Sequence, residues 1–205
     1  MKIITDSSSD LTPELIAHFG VDAVIPMKIS IDGREYRDKV DLTNDQFYQE
    51  LLPASKTLPK TSQTTAGEFI EDCAPATLAA MGKPRIEVFN RFPDEELLVL
   101  PLSSGLSGSY GMACVAREET GRSDIYVVDN KATALALALM VQIASERRAQ
   151  GASAAEIAAE LEALSSRVRV YAPVETLQYL VMGGRLSKAA GFVGTALNLK
   201  PVICL

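Results

Sequence analysis

The sequence has few of the residues on which metal and imidazole chemistry depends. It contains one histidine, His18, and three cysteines, Cys73, Cys114 and Cys204. The cysteines have neither a metal-ligand spacing nor the even number of a disulfide framework, which predicts reduced thiols in a cytoplasmic protein without a metal site. A Ser-His-Asp hydrolase needs an imidazole as general base, and His18 is predicted on the surface of a helix. No cofactor is predicted.

Basic clusters and long apolar runs are also absent. The 205-residue chain has a formal net charge of −6, and this acidic balance disfavours nucleic acid as a partner. The longest apolar run, residues 132–144, is shorter than the roughly 20 residues that cross a bilayer, so no integral membrane segment is expected. The first residues, MKIITD, reach an aspartate too early for a signal peptide. An apolar fraction of 47% is enough for a substantial core.

Apolar runs of strand length alternate with helix signals along the chain. Residues 2–5, 96–102 and 124–130 are predicted strands, and Thr43 and Ser153 open capping boxes of predicted helices. This order predicts an α/β fold with a mainly parallel sheet and helices on both faces.

The chain is predicted to have two parts. Residues 1–166 form the α/β domain, and residues 167–205 begin a second, smaller α/β domain. Because the last residues, KPVICL, form a hydrophobic strand, we expect the second domain to be truncated.

The segment VLPLSSGLSGSY, residues 99–110, places a Ser/Gly-rich loop directly after a predicted strand. A nucleophile elbow requires Gly-x-Ser-x-Gly, and the final glycine is missing. A phosphate loop of the Walker type requires a lysine after the glycines, and none follows. A third interpretation is an anion site, because hydroxyls and free backbone N–H groups meet where a helix begins. In that interpretation Ser103 or Ser104 donates to a carboxylate, and Ser107 or Gly108 begins the helix. The simpler alternative is that the serines only cap the helix.

Two further polar loops support the anion site. Residues 6–10, DSSSD, follow the first strand, and residues 58–63, LPKTSQ, supply the hydroxyls of Thr61 and Ser62. The carboxyl ends of parallel strands lie at one edge of a sheet, where such folds bind ligands. We therefore expect the three loops to converge on a small anionic head group.

The chain resembles the DegV family. The resemblance depends on five motifs in the expected order: TDSSSDL (5–11), LPKTSQ (58–63), LSSGLSGSY (102–110), LQYLVMGGRLS (177–187) and LNLKPVICL (197–205). It covers the family's N-terminal domain and the opening of its C-terminal domain. The family usually has threonine where this sequence has Ser109, which keeps the hydroxyl.

The resemblance implies a long-chain fatty-acid-binding protein similar to the lipid-carrying subunit of bacterial fatty acid kinase. A separate ATP-binding kinase subunit then phosphorylates the lipid carboxylate to an acyl phosphate. Thr61 and the Ser103-Ser104 pair would hydrogen-bond the carboxylate, and Arg185 at the rim would dock the kinase. The alternative for Arg185 is an arginine that binds carbonyls at a helix end. The alternative function is a stand-alone phosphotransferase or hydrolase that uses the loop Ser103–Ser109, and a third is a structural interaction domain.

Overall fold

The computed structural model describes residues 1–65, 88–187 and 200–204, which belong to two compact units, Met1–Arg167 and Val168–Leu205. The strands of the first unit are β1 (Lys2–Asp6), β2 (Ala23–Ile25), β3 (Lys28–Ile31), β4 (Arg34–Arg37), β5 (Lys60–Ser62), β6 (Leu97–Leu100) and β7 (Ile125–Val127). Its helices are α1 (Pro13–Phe19), α2 (Leu52–Ala54), α3 (Ser109–Thr120), α4 (Ala134–Ala149) and α5 (Ala154–Ser165), with a 3-10 turn at Ser7–Ser9 and a π-helix at Gln46–Leu51. The second unit contains β8 (Tyr171–Pro173), α6 (Gln178–Met182) and β9 (Val202–Cys204). The division after residue 166 stays a prediction of domain structure.

The central sheet of the first unit has the order β2-β1-β6-β7, and all its neighbouring strands are parallel. Alternate side chains of these strands point to opposite faces. Ile4 and Val99 pack in one cluster with Ala113 and Ala116 of α3. On the other side of the sheet, α4 contacts β1 and β6, and α5 contacts β6 and β7. The predicted α/β class with a parallel sheet is confirmed.

The segment LPKTSQ differs from its sequence-based prediction. It was expected to be a polar loop at the edge of the parallel sheet, but Lys60–Ser62 form strand β5 in a separate antiparallel sheet of order β4-β3-β5. The three residues of β5 are all exposed, so this strand lacks the apolar alternation by which a strand is recognised. Pairing with β3, which is distant in the sequence, decides its conformation.

No helix among the described residues is both long and apolar enough to cross a bilayer. Thr65 with Glu68 is a further capping-box pattern in the sequence, and it falls partly outside the described residues.

One buried hydroxyl next to β5 has no partner among the described residues. Thr64 is 1% exposed, and its Oγ1 forms no hydrogen bond in the described part of the chain. An unsatisfied buried polar group costs about 1–3 kcal/mol. We therefore expect Thr64→Val to raise the free energy of unfolding by about 1 kcal/mol in urea titrations.

Thr120→Val is the matched comparison, because the Thr120 hydroxyl donates to the Arg117 carbonyl at 2.7 Å. That variant should be less stable than the wild type. A loss of stability in Thr64→Val would show that its hydroxyl is satisfied.

Candidate functional site: the hydroxyl-rich sheet edge and two cavities

The loops that follow β1 and β6 are joined by a buried carboxylate. Asp6 is 0% exposed; its Oδ2 accepts the Leu102 N–H at 2.7 Å, and its Oδ1 accepts the Ser8 N–H at 3.1 Å. Burial raises the pKa of Asp6, although the hydrogen bonds from Ser8 and Leu102 oppose this shift. Because β1 and β6 are parallel neighbours, the DSSSD loop and the serine loop lie side by side. Sequence reasoning did not identify Asp6 as the link, since its partners come from a distant strand.

The two serines after β6 differ in their hydrogen bonds. Ser103 is buried, and its Oγ accepts the Gly105 N–H at 3.2 Å. Ser104 is exposed; its Oγ donates to Asp129 Oδ2 at 2.6 Å, and its N–H donates to Asp129 Oδ1 at 3.2 Å. The Ser104 hydroxyl therefore already donates its proton in a hydrogen bond to Asp129. The Ser103 hydroxyl donates to no acceptor among the described residues.

Ser107 and Gly108 form the start of α3. Ser107 Oγ accepts the Ser109 N–H at 3.2 Å and lies 3.0 Å from Ser109 Oγ. Gly108 is the residue before the helix, and the Gln63 carboxamide occupies the space that a side chain on Gly108 would fill. The residue that follows β5 therefore contacts the serine loop, and Gln63 is a contact that sequence reasoning missed.

This contact predicts a coupling between Gly108 and Gln63. Because the Gln63 side chain is exposed and flexible, we expect Gly108→Ala to displace it at a cost below about 1 kcal/mol. In the Gln63→Ala background the same change should be neutral or stabilising, since alanine restricts the unfolded chain. A double-mutant cycle of urea unfolding measures this difference. If Gly108→Ala lowered the free energy of unfolding equally in both backgrounds, the contact between Gly108 and Gln63 would be contradicted.

Thr61 and Ser62 lie on β5, where Thr61 pairs with Ile29 and Ser62 with Lys28. Thr61 lines a cavity of about 240 Å³ together with Ile29, Thr43 and Tyr48. We call this the Thr61 cavity. The alternation along a strand directs Ser62 to the opposite face from Thr61.

A larger cavity lies between α1 and β2. Its volume is about 480 Å³, and its wall is mostly apolar, with Leu11, Ile16, Val21, Ala23, Val24 and Pro26. We call this the apolar cavity. Helix α1 has no buried residue, which is consistent with a helix that lies over open space. Leu137, Met140 and Val141 of the apolar helix α4 are buried in the core and line neither cavity.

The two cavities are neighbours that share Asp38 and Lys39 in their linings. Ser7 and Ser9 of the DSSSD loop line the apolar cavity. Neither cavity is lined by Ser103 or Ser104 within the described residues. The structure thus brings Thr61 to a cavity and the serine loop to Gln63, and the shared site of all three loops stays a prediction.

Two other residues considered in the sequence analysis, Arg185 and His18, lie outside the linings of both cavities. Arg185 follows α6 in the second unit, and its Nη1 donates to the Gly183 carbonyl at 2.7 Å, which is the helix-end contact of the alternative interpretation. His18 lies in the last turn of α1 with its ring centroid 5.4 Å from that of Phe19. Among the described residues, no group of three or more His, Cys, Asp and Glu side chains is placed to hold a metal ion.

The fold and the site together define an α/β protein whose parallel sheet has a hydroxyl-rich carboxyl edge next to an apolar cavity. A family model described as "Uncharacterised protein, DegV family" matches residues 1–205. The chain belongs to the DegV family, as the sequence motifs predicted.

Relatives match almost the whole of this chain. A DegV domain-containing protein of Caldanaerobacter subterraneus is 32% identical over 203 residues, which are 99% of this chain and 66% of the relative. One from Deinococcus radiodurans is 35% identical over 203 residues, again 99% of this chain and 66% of the relative. The chain thus spans slightly less than two thirds of the length of these relatives.

Solved structures of DegV proteins have the same fold. A DegV family protein from Thermus thermophilus, described as fatty acid binding, has a TM-score of 0.77 and 32% identity over 100% of this chain and 67% of its own. A stearic-acid-binding protein from Eubacterium ventriosum has a TM-score of 0.78 and 29% identity over 99% of this chain and 66% of its own. DegV of Bacillus subtilis, described as a fatty acid binding protein, has a TM-score of 0.77 and 30% identity over 100% of this chain and 67% of its own.

Proposed function

We propose that the chain is a fatty-acid-binding carrier that presents the lipid carboxylate to a separate ATP-dependent kinase subunit, which converts it to an acyl phosphate. The observation that carries the proposal is the pair of adjoining cavities, one with a mostly apolar wall and one whose wall includes hydrogen-bond donors such as Thr61 and Lys39. Three solved relatives of the same fold are described as binding fatty acids, and this supports the same ligand class here.

The acyl chain is assigned to the apolar cavity. A volume of about 480 Å³ lies within the usual range for small-molecule sites. Each buried methylene contributes about 0.8 kcal/mol, so a long chain offsets the cost of ordering the ligand.

The carboxylate is assigned to the Thr61 side, because a buried carboxylate needs hydrogen-bond donors. Thr61 supplies a hydroxyl in that cavity. Ser103 lines neither cavity within the described residues, and it is proposed as a second donor because its hydroxyl donates to no acceptor among them. Ser104 is held by Asp129 and positions the loop. Ser62, Ser107 and Gly108 are the remaining predicted ligand-binding residues, and within the described part of the chain they line neither cavity.

The kinase step is assigned to a partner, because the sequence has no Walker lysine after its glycines. Arg185 remains the proposed docking residue, where a guanidinium offers a fork of donors to phosphate or carboxylate groups.

Organic extraction of the purified chain followed by mass spectrometry tests the lipid assignment, with stearic acid added to a second sample. We expect a fatty acid in the extract, or its retention after the added sample is desalted. Failure to retain any fatty acid would end the proposal. The kinase assignment predicts no ATP hydrolysis by the isolated chain, and acyl-phosphate formation once an ATP-binding fatty acid kinase subunit is added.

One observation favours the alternative of a stand-alone enzyme: the 2.6 Å hydrogen bond from Ser104 Oγ to Asp129 Oδ2, which places a carboxylate next to a hydroxyl nucleophile. ATP turnover by the isolated chain that disappears in Ser104→Ala would establish it. Turnover that survives in that variant would exclude Ser104 as the nucleophile.

A further inference from the structure

We propose that Lys39 is a specificity-determining residue that binds the carboxylate of the fatty acid in the Thr61 cavity, while Asp10 holds its ammonium in position. This inference rests on the proposed function. Lys39, Asp10 and Thr61 line the same cavity, so an ammonium and a hydroxyl donor belong to the wall of one open cavity.

The ammonium of Lys39 has an N–H group that can donate a hydrogen bond to a ligand. Its Nζ donates to Asp10 Oδ1 at 2.9 Å and, more weakly, to the Ser7 carbonyl at 3.4 Å. A lysine ammonium has three N–H donors, and these two contacts are the acceptors found among the described residues. The third N–H is available to a carboxylate without breaking the pair with Asp10.

Both members of the ion pair have an uncommon backbone conformation. Asp10 has φ 54° and Lys39 has φ 60°, in the left-handed region, which aspartate adopts more readily than lysine does. For lysine this conformation costs about 1–3 kcal/mol, and such conformations are concentrated at functional sites. Here the two side chains meet at the wall of the Thr61 cavity, and Lys39 also lines the apolar cavity.

The surrounding charges make a cation necessary for an anionic ligand. Asp10 and Asp38 both line the Thr61 cavity, and Asp38 is partly desolvated, which raises its pKa. Without Lys39, a fatty acid carboxylate would meet two like charges. An uncharged head group would meet no such repulsion, so Lys39 would select an acid over an alcohol of equal length.

The experiment compares the binding of stearate and stearyl alcohol to the full chain by calorimetry or by displacement of a fluorescent lipid. Lys39→Met removes the charge and keeps the length of the side chain. We expect it to weaken stearate binding about tenfold, because a hydrogen bond to a charged group has about this value, and to leave stearyl alcohol within about threefold. Lys56→Met, an exposed lysine outside both cavity linings, is the control and should bind stearate like the wild type.

Asp10→Asn is expected to change the affinity for stearate in the opposite direction to Lys39→Met. Asparagine tolerates the left-handed conformation and keeps an oxygen that accepts the hydrogen bond of the Lys39 ammonium, which holds that side chain in position. It also removes one negative charge from the cavity, so stearate should bind about threefold more tightly. The inference is overturned if Lys39→Met keeps the wild-type preference for stearate over the alcohol, or if Asp10→Asn weakens stearate binding. A wild-type chain that binds neither lipid contradicts the proposed function instead.

Discussion

Replacing Asp6 with alanine is expected to lower the free energy of unfolding by about 3 kcal/mol. The carboxylate accepts hydrogen bonds from the Leu102 N–H and from the N–H and hydroxyl of Ser8. Alanine leaves these donors unpaired, and the Leu102 N–H is buried. The link between the loops after β1 and β6 is lost at the same time.

Urea unfolding measures the loss, and Asp94→Ala provides the control. Asp94 is exposed, so its replacement should change the free energy of unfolding by less than about 0.5 kcal/mol. A loss of similar size in both variants would contradict the role of Asp6.

The difference between the wild type and Asp6→Ala should also depend on pH. Burial raises the pKa of Asp6 above its ordinary value of 3.8, so the folded state binds the proton more tightly than the unfolded state. The wild type therefore gains stability over the variant as the pH falls from neutral towards that ordinary value, and loses it as the pH rises through the raised pKa. The opposite trend would show that the hydrogen bonds outweigh burial.

The second large effect is expected from Ala17→Phe, which places a ring in the apolar cavity. Ala17 lies on α1 and lines that cavity, so phenylalanine occupies space assigned to the acyl chain. Loss of the contacts of several methylenes, at about 0.8 kcal/mol each, predicts at least a hundredfold weaker binding of stearate.

Ala149→Phe is the matched control, because Ala149 is an exposed residue at the end of α4 and lines neither cavity. It should bind stearate like the wild type, and thermal unfolding should show that both variants remain folded. Wild-type stearate binding by a folded Ala17→Phe variant would show that the acyl chain lies elsewhere.

Several helices and the parallel strands β1, β6 and β7 of the first unit could be predicted from local patterns. Thr12 accepts the Leu15 N–H, and Gly20 ends α1 in the left-handed conformation; a Thr-Pro-Glu start and a glycine stop are local signals of such a helix. The capping boxes of Thr43 and Ser153 also formed. These signals depend on neighbours within four residues, so one sequence contains them completely.

The candidate site could be predicted only in part. The serine loop does lie at the carboxyl edge of the parallel sheet, but strand β5 was missed because its three residues are all polar and exposed. Nothing in the local pattern near α1 distinguishes a helix over a cavity from a helix packed on a core. The contact of Gln63 with Gly108 likewise joins segments that are far apart in the sequence.

The amino-acid order alone determined the α/β class, most helix ends and the family, because periodicity, caps and motifs are properties of adjacent residues. Only the tertiary structure decided that Asp6 joins two loops, that Ser104 is bound by Asp129, and that Lys39 stands between two cavities. The physical reason is that each of these depends on the distance between segments many residues apart, which is determined by strand pairing and helix packing.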